Sequence, residues 1–119
     1  ALYDDQIVVK GELDRFRDFI FINDVVSGFY RLGFETEKIP FIINFSSGVK
    51  TSVGDLIGII MKTFKINKKV IVIEGTKGDQ FGIVGNSDLM QEHNIQMNTD
   101  LETGIKLTYD YIMSSRIHE

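Results

Sequence analysis

The chain of 119 residues has no cysteine and only two histidines, which removes several kinds of chemistry. Without cysteine there is no disulfide, no thiolate nucleophile and no cysteine-ligated metal. Neither His93 nor His118 has a second imidazole at the spacing of a ligand set, so no metal is expected. No serine stands in a GxSxG nucleophile elbow, so hydrolysis of that kind is not expected either.

Long hydrophobic runs and an excess of positive charge are also missing. The longest apolar runs, such as those at residues 19–22 and 70–73, fall far short of the roughly 20 residues that span a bilayer. The N-terminal residues do not have the pattern of a secretory signal, so we expect a cytoplasmic protein with no membrane partner. A formal net charge of -4 gives no general attraction to phosphate backbones, and no nucleic-acid partner is expected.

What is present is the composition of one small globular domain. Hydrophobic residues make up 43% and charged residues 25% of the chain, which is ordinary for a protein that folds. The apolar pattern alternates between the period of a strand and that of a helix. This alternation indicates the α/β class, with one small mixed sheet and about three helices.

The predicted strands fall into two groups. Aromatic and β-branched residues predict short strands at 6–10, 17–22 and 81–84. Runs of apolar residues within FIINF (41–45) and KKVIVIEG (68–75) predict strands that are covered on both faces, as in a parallel sheet.

The predicted helices are located by their capping residues. Asp24 is expected to cap a helix that ends near Gly33, and Ser52 with Asp55 forms a capping box before the clearest apolar stripe. A last helix is expected to begin near Asp100.

Two arginines adjoin an apolar segment and are flanked by acidic residues. Arg15 and Arg17 stand beside Asp14 and Asp18, and the simplest interpretation is a pair of surface ion bridges of little energetic value. The alternative is a guanidinium held by its own strand to bind phosphate through charge-assisted hydrogen bonds. Phenylalanines alternate along the same strand as in RNA-recognition modules, but core packing explains them better.

In the glycine-rich segment at residues 75–86, the glycines have neither the spacing of a dinucleotide-binding fingerprint nor that of a Walker loop. It is either a turn that leads into a glycine-tolerant strand or a loop that approaches a phosphate.

Four segments, in this order along the chain, resemble motifs of the NAD-dependent epimerase/dehydratase family, the extended short-chain dehydrogenase/reductases that act on nucleotide-diphosphate sugars. The segments are GELDRFRDFIFINDVVSGF (11–29), FIINFSSGVKTSVGDLIGII (41–60), EGTKGDQFGIVGN (74–86) and DLETGIKLTYDYI (100–112). They are similar to that family's RDF strand, its N-x-G-S-G segment, its R-x-GD loop and its closing helix.

The resemblance implies that residues 1–119 are a single C-terminal, substrate-binding piece of a Rossmann-type enzyme. Residues from about 40 to 65 would supply the last strand and helix of the parent nucleotide-binding sheet, and the N-terminal NAD-binding part would be absent. No Tyr-x-x-x-Lys pair occurs in the chain, so no catalytic or cofactor-binding residue is expected here and the isolated chain should be inactive.

The resemblance also implies which residues meet the substrate. Arg17 falls on the arginine that binds the diphosphate, and Asp79 falls on the aspartate of the GD pair. Thr76 replaces a second phosphate-binding arginine of many members, Lys77 could supply charge from the next position, and Arg15 replaces a glutamine.

The expected parent is a nucleotide-sugar epimerase that uses NAD, most simply a 4-epimerase with a keto-sugar intermediate, in the synthesis of surface polysaccharides. A 4,6-dehydratase or a reductase of the same superfamily is an alternative, and so is a free-standing module with no catalysis of its own. Because a strand at 41–45 would leave an open edge, a homodimer or strand-exchanged oligomer is also expected.

Overall fold

The structure, a computed structural model, describes residues 4–34 and 42–115. This part of the chain contains four strands and four helices in mixed order. In chain order the elements are β1 (Gln6–Lys10), β2 (Phe16–Arg17), α1 (Ile22–Phe34), β3 (Thr51–Ser52), α2 (Val53–Phe64), β4 (Lys69–Ile73), α3 (Asp88–Glu92) and α4 (Leu101–Ser115).

The described residues divide into two compact units. The first unit comprises residues 4–17 and 50–83 and holds all four strands with α2. The second unit comprises residues 18–34, 42–49 and 84–115 and holds α1, α3 and α4. None of the helices in these residues combines the length and the apolar character that crossing a membrane requires.

The first unit contains two two-stranded sheets. β1 and β4 run parallel, with Gln6 opposite Lys69 and Lys10 opposite Ile73, while β2 and β3 are antiparallel. The α/β class is therefore confirmed, but two small sheets replace the one mixed sheet that the sequence predicts. The prediction that β4 is buried on both faces is wrong, because Val72 is 50% exposed and no third strand joins the sheet among the described residues.

α2 begins and ends as its sequence predicts. The Ser52 hydroxyl accepts from the Asp55 amide at 2.9 Å, and the Asp55 carboxylate accepts from the Ser52 amide at 3.3 Å, so the capping box is confirmed. Lys65 closes the helix in the left-handed conformation at φ 51°.

Replacing Ser52 by alanine is expected to lower the free energy of unfolding by about 1 kcal/mol, because the substitution removes the side-chain acceptor of the first helical turn. Urea denaturation followed by circular dichroism measures the loss. Thr63→Ala, on the same helix and away from its N-terminus, is the control; an equal loss in both variants would contradict a capping role.

The second unit is built around a small core of Leu32, Met90 and Ile95, against which Phe45 and other apolar side chains pack. Gly28 on α1 permits this packing, because a Cβ there would lie 2.1 Å from Cε1 of Phe45. α3, which carries Met90, is a helix that the periodicity argument missed because it has only five residues.

The predicted strand at 17–22 is wrong beyond Arg17. β2 ends there, and α1 already begins at Ile22, where the Phe21 carbonyl accepts from the amides of Asp24 and Val25. Asp24 therefore lies within the first turn of α1 and is not its N-cap. Its carboxylate instead accepts from the amide and hydroxyl of Thr99 at 3.0 and 3.2 Å.

Two further predicted strands do not form. Residues 42–45 form no strand and Ile42 is 68% exposed, while Phe41 lies outside the described residues. The expected strand at 81–84 is reduced to a single bridge between Gly82 and Phe16. The expected end of α1 near Gly33 agrees with its last residue, Phe34. Self-association stays a prediction, but an open strand edge at 41–45 no longer supports it.

Candidate functional site

The backbone that carries the two arginines is fixed by pairing within the first unit. Arg17 lies in β2 opposite Thr51, and the carbonyl of Arg15 accepts from the amide of Val53, the first residue of α2, at 2.8 Å. Because side chains alternate along an extended chain, residues 15 and 17 project to one side and residue 16 to the other.

Both arginines bind the same carboxylate. Nη1 of Arg15 bonds to Oδ2 of Asp79, and Nη2 of Arg17 lies 3.1 Å from Oδ1 of Asp79. The side chains of Arg17 and Asp79 are 35% and 37% exposed, whereas Arg15 is 15% exposed. These three residues are called the arginine cluster below.

Further hydrogen bonds hold the guanidinium groups in place. Arg15 donates to the carbonyls of Lys10 and Glu12, and Arg17 donates from Nη1 to the carbonyl of Phe16 at 2.8 Å. Gly11 makes room for Arg15, because a Cβ at Gly11 would lie 2.7 Å from the guanidinium carbon and φ there is +87°. Neither arginine thus depends on Asp79 alone for its position.

Asp79 belongs to a tight turn. Its amide donates to the carbonyl of Thr76 at 3.1 Å, and Gly78 adopts a φ of +86° that favours glycine. Thr76 thus contributes its backbone to the turn, and Lys77 is exposed beside it. Of the five predicted site residues, the structure brings Arg15, Arg17 and Asp79 together and leaves the side chains of the other two outside the cluster.

An aromatic contact that the sequence argument missed lies on the opposite side of β2. Phe16 meets Phe81 edge to face, with ring centroids 5.8 Å apart, and Nζ of Lys50 lies 4.1 Å from the centroid of Phe16. Gly82 must be small here, because a Cβ would lie 2.1 Å from the Phe16 ring. This packing fixes β2 from the side that the arginines do not use.

The arginine cluster presents hydrogen-bond donors of the kind that bind anions. Two guanidinium groups share one carboxylate, so the three side chains together carry one net positive charge. Partly exposed ion pairs of this kind stabilise a fold very little, and an added anion can compete for the same donors. Guanidinium groups match the oxygens of phosphate and carboxylate groups in a bidentate manner.

Asp18 has a different role from the surface ion pair that the sequence suggests. In the second unit its carboxylate accepts from the Ser47 amide at 2.9 Å, the Ser47 hydroxyl at 2.5 Å, the Gly48 amide at 3.0 Å and the Gly85 amide at 3.1 Å. Partial burial by itself raises the pKa of Asp18, but these hydrogen bonds outweigh it and bring the pKa below its ordinary value. Asp18 therefore joins two loops as a structural carboxylate.

No group of three or more His, Cys, Asp or Glu side chains within residues 4–34 and 42–115 could hold a metal ion. A pocket of about 390 Å³ lies in the second unit beside α3, and its lining is formed by uncharged side chains that include Ser46, Gln91 and Met97. None of the predicted site residues lines this pocket.

Comparison with solved structures places this architecture among sugar-nucleotide enzymes. An NAD-dependent NDP-hexosamine 5,6-dehydratase of tunicamycin biosynthesis superposes with a TM-score of 0.82 and 26% identity over 95% of this chain and 36% of its own. A UDP-glucuronic acid 4-epimerase from Bacillus cereus, solved with NAD and a fluorinated UDP-glucuronic acid, has a TM-score of 0.85 and 22% identity over 95% of this chain and 37% of its own. A UDP-glucose 4-epimerase from Thermotoga maritima, solved with UDP-glucose, has a TM-score of 0.80 and 22% identity over 92% and 35%.

The chain spans about a third of the length of these solved structures. Neither a scan against protein-family models nor a search of curated proteins found a match. The resemblance of the four sequence segments is nevertheless confirmed by the structural neighbours: the chain has the fold of the C-terminal part of NAD-dependent nucleotide-sugar epimerases and dehydratases of the extended short-chain dehydrogenase/reductase type.

Proposed function

We propose that this chain forms the nucleotide-sugar-binding part of an NAD-dependent nucleotide-sugar epimerase, and that Arg17 and Arg15 bind the diphosphate of the substrate. The observation that carries the proposal is the convergence of both guanidinium groups on one carboxylate, which marks a place where anionic oxygens are bound. Structural neighbours solved with UDP-glucose and with a UDP-glucuronic acid analogue support the choice of ligand.

A diphosphate suits this site because it supplies several oxygens with more than one negative charge. The two arginines are already oriented by backbone carbonyls, so less side-chain freedom is lost when the ligand binds. Lys77, exposed in the turn next to Asp79, and Thr76 are proposed as lesser contributors from the rim.

NAD would be bound by other parts of the enzyme. A pyrophosphate-binding turn joins a strand directly to the N-terminus of a helix. In this structure β3 leads into α2 at residues 52–53 with no glycine-rich turn between them, and β4, which ends at Ile73, is followed by α3 only from Asp88. The described residues therefore do not fit the dinucleotide, and the chain by itself is proposed to be catalytically inactive.

The reaction of the whole enzyme is proposed to be inversion at C4 of the sugar, because several of the structural neighbours are 4-epimerases. A dehydratase is the second candidate. It is favoured by the neighbour of 26% identity, an NDP-hexosamine 5,6-dehydratase, whose identity exceeds that of the 4-epimerases cited above.

Titration with UDP, followed by amide NMR, tests the binding site directly. We expect shifts at residues 15–17 and 76–79, and we expect Arg17→Ala to weaken binding about tenfold, because a charge-assisted hydrogen bond to a half-exposed group contributes about 1.4 kcal/mol. Raising the ionic strength should weaken binding further, since the contact is a partly screened charge interaction.

Two controls accompany the titration. Arg31→Ala removes the same charge from an exposed position on α1 and should leave the affinity unchanged. Uridine, which has no phosphate, should not bind. Equal effects of Arg17→Ala and Arg31→Ala, or an absence of shifts at residues 15–17, would refute the proposed site.

A further inference from the structure

The carboxylate of Asp79 occupies the donors that a diphosphate would need. We propose that Asp79 is an internal counter-ion of the substrate site, which the diphosphate must displace and which disfavours singly charged anions. This inference rests on the proposed function and adds a selectivity device to the same site.

The geometry supports displacement because both carboxylate oxygens are in use. Oδ2 binds Nη1 of Arg15 and Oδ1 binds Nη2 of Arg17, so one planar anion bridges the two guanidinium groups. An incoming phosphate oxygen that binds either of these nitrogens in the same direction takes the place of a carboxylate oxygen.

The cluster can release Asp79 without disturbing the fold. Asp79 is 37% exposed, so its side chain can turn into water, and an ion pair that is this exposed costs little to break. The arginines keep their bonds to the carbonyls of Lys10 and Phe16 when the carboxylate leaves. The donors therefore remain in place for the ligand.

The charge balance explains the selectivity. Exchange of Asp79 for a singly charged anion replaces one negative charge with another, and the ligand also loses its own freedom on binding. A diphosphate brings at least one additional charge and additional oxygens to the same two guanidinium groups. Only the more highly charged ligand gains binding free energy when it replaces the carboxylate of Asp79.

Inorganic pyrophosphate and dimethyl phosphate are the probes that test this inference, with affinities measured by calorimetry on the 119-residue chain. Asp79→Asn is expected to bind pyrophosphate about fivefold more tightly than Asp14→Asn. A change in affinity of this size corresponds to the loss of one partly exposed ion pair. Asp14→Asn is the matched control because it makes the same change in net charge at an exposed position next to Arg15 in the chain. The gain in affinity from Asp79→Asn should be larger for dimethyl phosphate, a monoanion, than for pyrophosphate.

A measurement on the unchanged chain avoids dependence on how the variant folds. Saturation with pyrophosphate should move the ¹³C resonance of the Asp79 carboxyl carbon to the position it has in a solvated aspartate. An unmoved resonance overturns the inference, as does an affinity of Asp79→Asn that is equal to or weaker than that of Asp14→Asn.

The outcome separates this inference from the proposed function. If Arg17→Ala loses pyrophosphate binding while Asp79→Asn gains none, only the counter-ion role is refuted. If no variant and no unchanged chain binds pyrophosphate, the proposed diphosphate site is refuted and the counter-ion role with it.

Discussion

Replacement of Asp18 by alanine is expected to lower the free energy of unfolding by about 2 kcal/mol. The substitution removes the acceptor of four hydrogen bonds, three of them from the backbone amides of Ser47, Gly48 and Gly85. Hydrogen bonds to charged groups contribute about 1.5–3 kcal/mol each when buried, but water can reach this half-buried site and replace part of what is lost. The net effect is therefore far smaller than the sum.

Loss of the Asp18 carboxylate should also loosen the two loops whose amides donate to it. Amide hydrogen exchange at Ser47, Gly48 and Gly85 is expected to accelerate in Asp18→Ala, because these donors lose a charged acceptor in the folded state. Asp14→Ala, which removes an exposed carboxylate, serves as the control and should leave both stability and exchange nearly unchanged. Unaltered exchange at the three amides of Asp18→Ala would contradict the structural role of Asp18.

The pH dependence of this stabilisation has a definite sign. Because the pKa of Asp18 is lowered in the fold from its ordinary value of 3.8, its contribution is fully present above that value. It is lost as the pH falls through the lower, folded pKa, since the protonated group accepts less well. The difference in unfolding free energy between the unchanged chain and Asp18→Asn should therefore be constant near neutral pH and shrink below about pH 4.

Sequence patterns predicted those elements of the fold that local interactions specify. The capping box of Ser52 and Asp55 and the start of α4 after Asp100 depend on neighbouring residues. The strand at Gln6–Lys10 was also predicted, although it forms by pairing with the distant β4. Apolar composition alone failed at residues 42–45, where Ile43 and Phe45 pack on the helical core, Ile42 is exposed and no strand pairing forms. Such a run is compatible with a strand, but only a partner strand makes it one.

The residues of the arginine cluster were likewise predictable only in part. Arg17 and Asp79 could be named from the resemblance, but 62 residues separate them in the chain, and periodicity cannot show that they meet. The participation of Arg15 also depends on the strand alternation that places it on the same side as Arg17. The position of Asp18 next to an arginine suggests an ion pair, whereas its role as an acceptor depends on two distant glycine-containing loops.

Met90 is, with Ile95, the most deeply buried apolar side chain among the described residues. Met90→Ala is expected to lower the free energy of unfolding by about 3 kcal/mol, because the side chain is 2% exposed and its loss leaves a cavity beside Leu32 and Ile95. The sulfur also accepts from the Ser46 amide at 3.2 Å, so the variant leaves a buried donor without its partner. Urea denaturation followed by circular dichroism measures the change.

Two further variants separate packing from the position of the residue on α3. Leu89→Ala, one residue earlier and 43% exposed, should cost less than about 1 kcal/mol, because little apolar area is lost. Met90→Leu, which nearly conserves the apolar volume but not the sulfur, should cost less than about 1.5 kcal/mol. A loss of stability in Met90→Ala no greater than that in Leu89→Ala would show that α3 does not anchor the core. The helix would then tolerate a cavity on its buried side as readily as the truncation of an exposed side chain.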